Sequence, residues 1–184
     1  MIVSGHSHVR LLHRRRGFTL VELVVVMAII GILGAIGAAR YFDRRGFDSA
    51  GFADQTRAML RFGQKLAIGQ NRPIFTQLNG STIALCFAST VPCPVASQVP
   101  TLGSNGGASA CRPANWYCEA PPGTIAYAVT PSSASTLCFN ALGQPGVAAG
   151  ATCNTASFTG ATVNITGDGA TTAVNVAADT GYVF

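Results

Sequence analysis

Charge is scarce in this chain of 184 residues: Asp, Glu, Lys and Arg together make up only 10% of it. It thins further toward the C-terminus. After Arg72 the charged side chains are Arg112, Glu119, Asp168 and Asp179, a net of −2. Histidine is missing beyond His13, since His6, His8 and His13 are the only three. Acid–base or nucleophilic catalysis needs a base set beside a partner, and three scattered carboxylates do not provide one. No glycine-rich phosphate loop is present. No C-x-x-C pair occurs, and structural zinc sites favour short paired spacings. The expectation is therefore a protein that is not an enzyme, with no catalytic residues, no metal ligands and no cofactor. Asp168, within Thr166-Gly167-Asp168-Gly169, could ligand calcium but reads better as a turn aspartate.

The formal charge of +5 and a pI near 9.1 suggest a nucleic-acid partner only at first sight. Four of the twelve basic residues, Arg10, Arg14, Arg15 and Arg16, lie before Phe18. Without them eight basic residues face seven acidic ones, a net of +1. Nucleic acid is thus not an expected partner.

A long apolar run is what the chain does have. From Phe18 to Ala39 only Thr19 and Glu22 are strongly polar. At about 1.5 Å per residue this run spans a bilayer core. The preceding arginines place its start on the cytoplasmic side and the C-terminal part across the membrane. A secretory signal peptide would be cut after the run, and Gly34-Ala35-Ile36-Gly37-Ala38-Ala39 could serve as such a site. That reading, like a plain anchor, leaves Glu22 unexplained, because a carboxylate in hydrocarbon is costly and is kept for a purpose.

Arg14-Arg15-Arg16-Gly17-Phe18-Thr19-Leu20-Val21-Glu22-Leu23, followed by Val24–Leu33, resembles the class III signal of type IV pilins and type II secretion pseudopilins. The resemblance implies cleavage after Gly17 by a prepilin peptidase and N-methylation of Phe18. It also implies that Glu22 meets the N-terminal amine of a neighbouring subunit. Inside an apolar filament core a carboxylate and an ammonium each need a partner. Where many members of the family carry proline, this chain has Ala39. Gly31, Gly34 and Gly37 are then expected either to loosen the helix or to permit close packing between helices.

Residues 49 to 70 read as an amphipathic helix. Phe52, Met59, Gly63 and Leu66 fall on one side, with Leu60, Phe62 and Ala67 beside them. Asp54, Arg57, Arg61 and Lys65 fall opposite, and Ile68 breaks the pattern. The basic ridge of Arg57, Arg61 and Lys65 could meet DNA or an acidic neighbour, but is better read as a solvated face. Asn71-Arg72-Pro73 ends the helix. Phe52–Ile68 and Arg72-Pro73-Ile74 resemble pseudopilin H and FimT-type minor pilins. Arg40–Arg44 and Gly51–Gln55 look most like minor pilins of the mannose-sensitive haemagglutinin system.

Beyond residue 73 the pattern predicts short antiparallel strands at Ile74–Leu78, Thr82–Phe87, Ile125–Val129, Thr136–Asn140, Ala161–Ile165, Ala173–Val176 and Gly181–Phe184. Asn79-Gly80 predicts a tight turn. Residues 88 to 122 carry little strand signal, and a stretch of that length is either functional or held by cross-links. Cys86, Cys93, Cys111, Cys118, Cys138 and Cys153 all lie beyond the membrane segment and are disulfide candidates in an oxidising compartment. Many pairings are open, and nearest neighbours (86–93, 111–118, 138–153) are the expectation. Trp116 and Tyr117 could form an exposed adhesive tip, although core packing suits them better.

The expected fold class is α+β, the type IV pilin fold. A long N-terminal helix, with a membrane half and an amphipathic half, packs on an antiparallel β domain stapled by disulfides. The expected organisation is a basic leader over 1–17 that is removed, a transmembrane helix over 18–39, an amphipathic helix over 40–72 and a periplasmic β-rich domain over 73–184. The expected function is that of a minor pilin subunit of a type IV pilus. The alternatives are a type II secretion pseudopilin and a DNA-binding minor pilin for uptake. The expected partners are prepilin peptidase, other pilin or pseudopilin subunits, the inner-membrane assembly platform and the inner membrane itself. The expected location is the bacterial inner membrane, single-pass with a periplasmic C-terminal domain, and then the filament.

Overall fold

The computed structural model describes residues 18–42, 44–101, 109–112, 115–167 and 169–184. The basic leader with Gly17, and the turn aspartate Asp168, lie outside the described residues. The chain divides into two units, residues 1–42 and 43–184.

The first unit contains one helix, α1, over Leu20–Phe42. It continues through Gly31, Gly34, Gly37 and Ala39, so these small residues do not end it. Space around all three glycines is open, with no atom within 4 Å of a Cβ built on any of them.

The second unit begins with α2, Arg44–Gln70. Its end is set by backbone chemistry. Asn71 adopts φ 50°, its N–H bonds to Ile68 O, and the Arg72 N–H bonds to Ala67 O. This is a Schellman cap, which satisfies carbonyls the helix leaves orphaned, and Pro73 follows it.

Nine strands follow among the described residues, all antiparallel where they pair. They are β1 (Ile74–Leu78), β2 (Ile83–Cys86), β3 (Cys118–Glu119), β4 (Ala126–Thr130), β5 (Thr136–Phe139), β6 (Pro145–Ala149), β7 (Thr152–Asn154), β8 (Ala161–Gly167) and β9 (Ala170–Val176). A six-stranded sheet has the order β3-β2-β1-β5-β6-β7, and a three-stranded sheet has the order β4-β8-β9. α2 lies across both, touching β1, β2 and β5 of the larger sheet and β8 and β9 of the smaller.

The expected apolar stripe of α2 is the face it buries: Phe52, Met59, Leu60, Gly63 and Ala67 join Ile74, Ile83, Leu85, Leu137, Phe139, Val163, Ile165 and Val174. Ser49 and Thr56 are buried on it as well. The Thr56 hydroxyl is satisfied by donating to Phe52 O at 2.7 Å, which lets a polar residue sit on a core face. Gly63 brings the helix close to the sheet, since a Cβ there would lie 3.1 Å from Leu85 Cδ2.

Several expected elements are corrected. Residues 181–184 form no strand: a single bridge joins Val183 to Val176. Gly181 at φ 68° turns the chain just before it, and a Cβ there would meet Gln64 Nε2 at 2.8 Å. The β1–β2 connection is a four-residue loop, Asn79 to Thr82, rather than a two-residue turn at Asn79-Gly80, because Leu78 pairs with Ile83. Asn79 Oδ1 accepts the N–H groups of Ser81 and Thr82 and closes the loop.

Tyr127 of β4 ties that loop to the smaller sheet. Its hydroxyl accepts the Gly80 N–H at 2.9 Å and donates to the Thr82 carbonyl. Burial pushes the Tyr127 hydroxyl up to about 12 from an ordinary 10, and the Gly80 hydrogen bond opposes this.

Disulfides join Cys86 to Cys93, Cys111 to Cys118 and Cys138 to Cys153, each cysteine with its neighbour in sequence. The first two pack around Trp116, with Ala84, as a small core of their own. They hold the strand-poor stretch against β2, where the Leu85 N–H donates to Tyr117 O and the Leu85 carbonyl accepts the Val99 N–H. Trp116 is only 7% exposed and its Nε1 donates to Cys111 O, so it packs in this core and does not form an exposed tip.

Candidate assembly site

The first turn of α1 is built by local chemistry. Thr19 precedes the helix, its Oγ1 accepts the Glu22 N–H at 3.2 Å, and its carbonyl accepts the Leu23 N–H at 3.2 Å. Thr19 is thus the N-cap of α1. Thr19-Leu20-Val21-Glu22 has the T-x-x-E spacing of a capping box. Sequence reasoning missed this role for Thr19, although the spacing was there to be read. The cap fixes where the helix begins, and with it the place of Glu22 in the first turn. There a negative charge is favoured by the helix dipole.

Phe18 and Glu22 therefore share one end of α1, with Phe18 75% exposed. Every described side chain from Phe18 to Gly37 is exposed, including Leu20, Ile30 and Leu33. The segment Leu20–Gly37 has a mean hydropathy of 2.6 and is long and apolar enough to cross a membrane. An apolar surface of this extent marks a membrane or protein interaction site.

The basic ridge of α2 is a solvated face at Arg61 and Lys65, which are exposed, and half-buried at Arg57, and its two arginines are also tied to the body. Arg57 Nη2 donates to Ala173 O at 3.1 Å, and Nη1 pairs with Asp54 at 2.6 Å. Arg61 donates twice to Val183 O, from Nε at 3.1 Å and Nη2 at 2.7 Å. Gln64 Nε2 donates to Gly143 O and Thr180 O. Three successive turns of α2 thus hold β9, the C-terminal tail and the β5–β6 loop. Periodicity alone could not reveal this, because the acceptors are backbone carbonyls more than a hundred residues away for both arginines.

A family model described as the prokaryotic N-terminal methylation motif matches residues 12–38, the stretch that contains Gly17, Phe18 and Glu22. The chain is 32% identical over 105 residues to the type IV narrow pilus major component PilA5 of Thermus thermophilus, covering 50% of this chain and 90% of that protein. The chain belongs to the type IV pilin family. This pilin has the α+β arrangement expected of that fold: an apolar N-terminal helix, a second helix laid on antiparallel sheets, and disulfides. The crystal structure of the type IV minor pilin FimU of Pseudomonas aeruginosa is also similar, with a TM-score of 0.49 and 16% identity over 78% of this pilin and 90% of that chain. Membership makes this pilin a structural protein and implies assembly with other pilins after prepilin processing. The apolar helix suits an inner-membrane anchor.

Proposed function

We propose that the protein is a minor pilin subunit of a type IV pilus. Prepilin peptidase cuts after Gly17, the new terminal Phe18 is methylated, and α1 docks the subunit in the filament or primes its assembly. The observation that carries this reading is the exposed apolar helix whose capped first turn holds Glu22 one turn from Phe18. In a bundle of such helices a lone carboxylate in an apolar core is stable only beside a cation. The ammonium of a neighbouring Phe18, displaced along the filament, supplies it and sets the stagger between subunits.

The protein acts mechanically and not as an enzyme, with its periplasmic body choosing partners. Uptake of DNA through the α2 ridge has less support, because Arg57 and Arg61 are spent on backbone carbonyls. The test is the N-terminal peptide mass of the membrane-extracted protein, with and without prepilin peptidase. A methylated terminus at Phe18 that requires the peptidase is the expected result. An uncut leader, or a cut near Ala39, would overturn the reading.

A further inference from the structure

Among the described residues of the body, Glu119 is a half-buried carboxylate with no counter-charge. Glu119, on β3, lines a groove of about 290 Å³ with Gln55, Ala58, Met59, Phe62 and Tyr117. The Phe62 and Tyr117 rings stack there at 4.3 Å between centroids. Burial raises the Glu119 carboxyl above its ordinary 4.5, and a hydrogen bond from Gln55 opposes this. The groups lining the groove beside it include Gln55 from α2 and Tyr117 next to β3. Among the described residues no cation pairs with Glu119. Arg57 is held by Asp54 and Ala173, Arg61 by Val183, and Arg72 lies over the Phe87 ring at 4.1 Å.

A carboxylate partly withdrawn from water gains from a nearby cation, and here Gln55 supplies only a neutral hydrogen bond. Its size lies at the lower limit of small-ligand pockets, roughly 300 Å³, which suits a side chain better than a cofactor. Apolar walls suit an aliphatic stem. A planar guanidinium both forks onto a carboxylate and stacks on aromatic faces, which an ammonium does less well. We propose that this groove receives an arginine side chain of a neighbouring pilin subunit, with its guanidinium on Glu119 and its plane against the Phe62–Tyr117 pair. The inference rests on the subunit reading above for the source of the arginine.

Glu22 and Glu119 are the only glutamates in the chain, so glutamate carboxyl labelling gives two carbon signals. The full chain in detergent micelles is titrated with N-acetyl-arginine amide, and separately with the neutral citrulline analogue. The arginine probe is expected to lower the Glu119 midpoint, weakening its proton binding by about tenfold, while citrulline leaves it unchanged. Ala58→Phe, at an exposed position on the groove wall, is expected to abolish the arginine effect. In assembled filaments the Glu119 signal should already sit at its arginine-bound position. No shift with arginine, an equal shift with citrulline, a shift that survives Ala58→Phe, or an unbound signal in filaments would each overturn the proposal. The micelle arm uses neither peptidase nor filament, so it can fail while the subunit reading stands.

Discussion

α1 and the body treat apolar residues in opposite ways. From Phe18 to Gly37 the helix turns every described side chain outward. In the body, Phe75, Phe139, Leu60, Leu137 and Ile165 are fully enclosed. Apart from its ends, the helix closes its backbone hydrogen bonds within itself and so needs no tertiary partner to be a helix in an apolar medium. The body has few charges and short strands, and it holds together through long-range contacts: two sheets under one helix, three disulfides, and side chains of α2 bonded to distant carbonyls. α1 thus leaves its apolar side chains exposed, while the body encloses most of its own.

The contrast predicts that damage to α1 will change assembly without changing the fold, and damage to the body the reverse. Glu22→Ala should have the largest effect. It leaves a neighbouring ammonium unpaired in an apolar core, a loss of about 3–5 kcal/mol. Filament incorporation, measured as the subunit's share of sheared pili, should fall by more than about tenfold. The thermal melting of the body should stay unchanged, and a parallel loss of melting temperature would contradict the division.

Removing the Cys138–Cys153 bridge by paired Ser substitution is next. The bridge links β5 to β7 across β6 over a sequence separation of 15. Loop closure of that length is worth about 3 kcal/mol. Denaturant unfolding of the body should register the loss, while the helical signal of α1 in micelles persists.

The smallest effect sharpens the comparison within the body, at the join between its sheets. The folded Tyr127 hydroxyl is pushed up to about 12 against an ordinary 10. The unfolded chain therefore releases this proton first as pH rises. The resulting stabilisation is full below pH 10 and is lost as pH climbs toward 12. Relative to Tyr127→Phe, the protein should lose about 1.4 kcal/mol by pH 11. Chemical denaturation at a series of alkaline pH values reads the difference, and identical slopes for the two proteins would show that the hydroxyl is not held as described.

Much of this was legible beforehand where the cause is local. The apolar run, the end of α2 near Asn71-Arg72-Pro73 and the strands around β1, β2, β4, β5, β8 and β9 follow from composition and periodicity over a few residues. β6 and β7 were not legible. Pro145, Gly146, Ala148 and Ala149 have little strand preference, and they form a strand because β5 and β7 flank them. Gly146 is required by that packing, since a Cβ there would collide with the Asn154 carbonyl. β3 has two residues and exists only through its pairing with β2.

The sequence alone determined the family, the placement of Glu22 near the start of the apolar run and the helical character of α1. These depend on neighbours within one or two turns, where spacing is itself the physical cause. Only the tertiary structure decided how α2 spends Arg57, Arg61 and Gln64, that Trp116 is core rather than tip, and that Glu119 lies half-buried beside two stacked rings. Each of these depends on which distant groups the fold brings within hydrogen-bonding or van der Waals reach. No local pattern encodes that, because the energy of such a contact belongs to the pair and not to either residue.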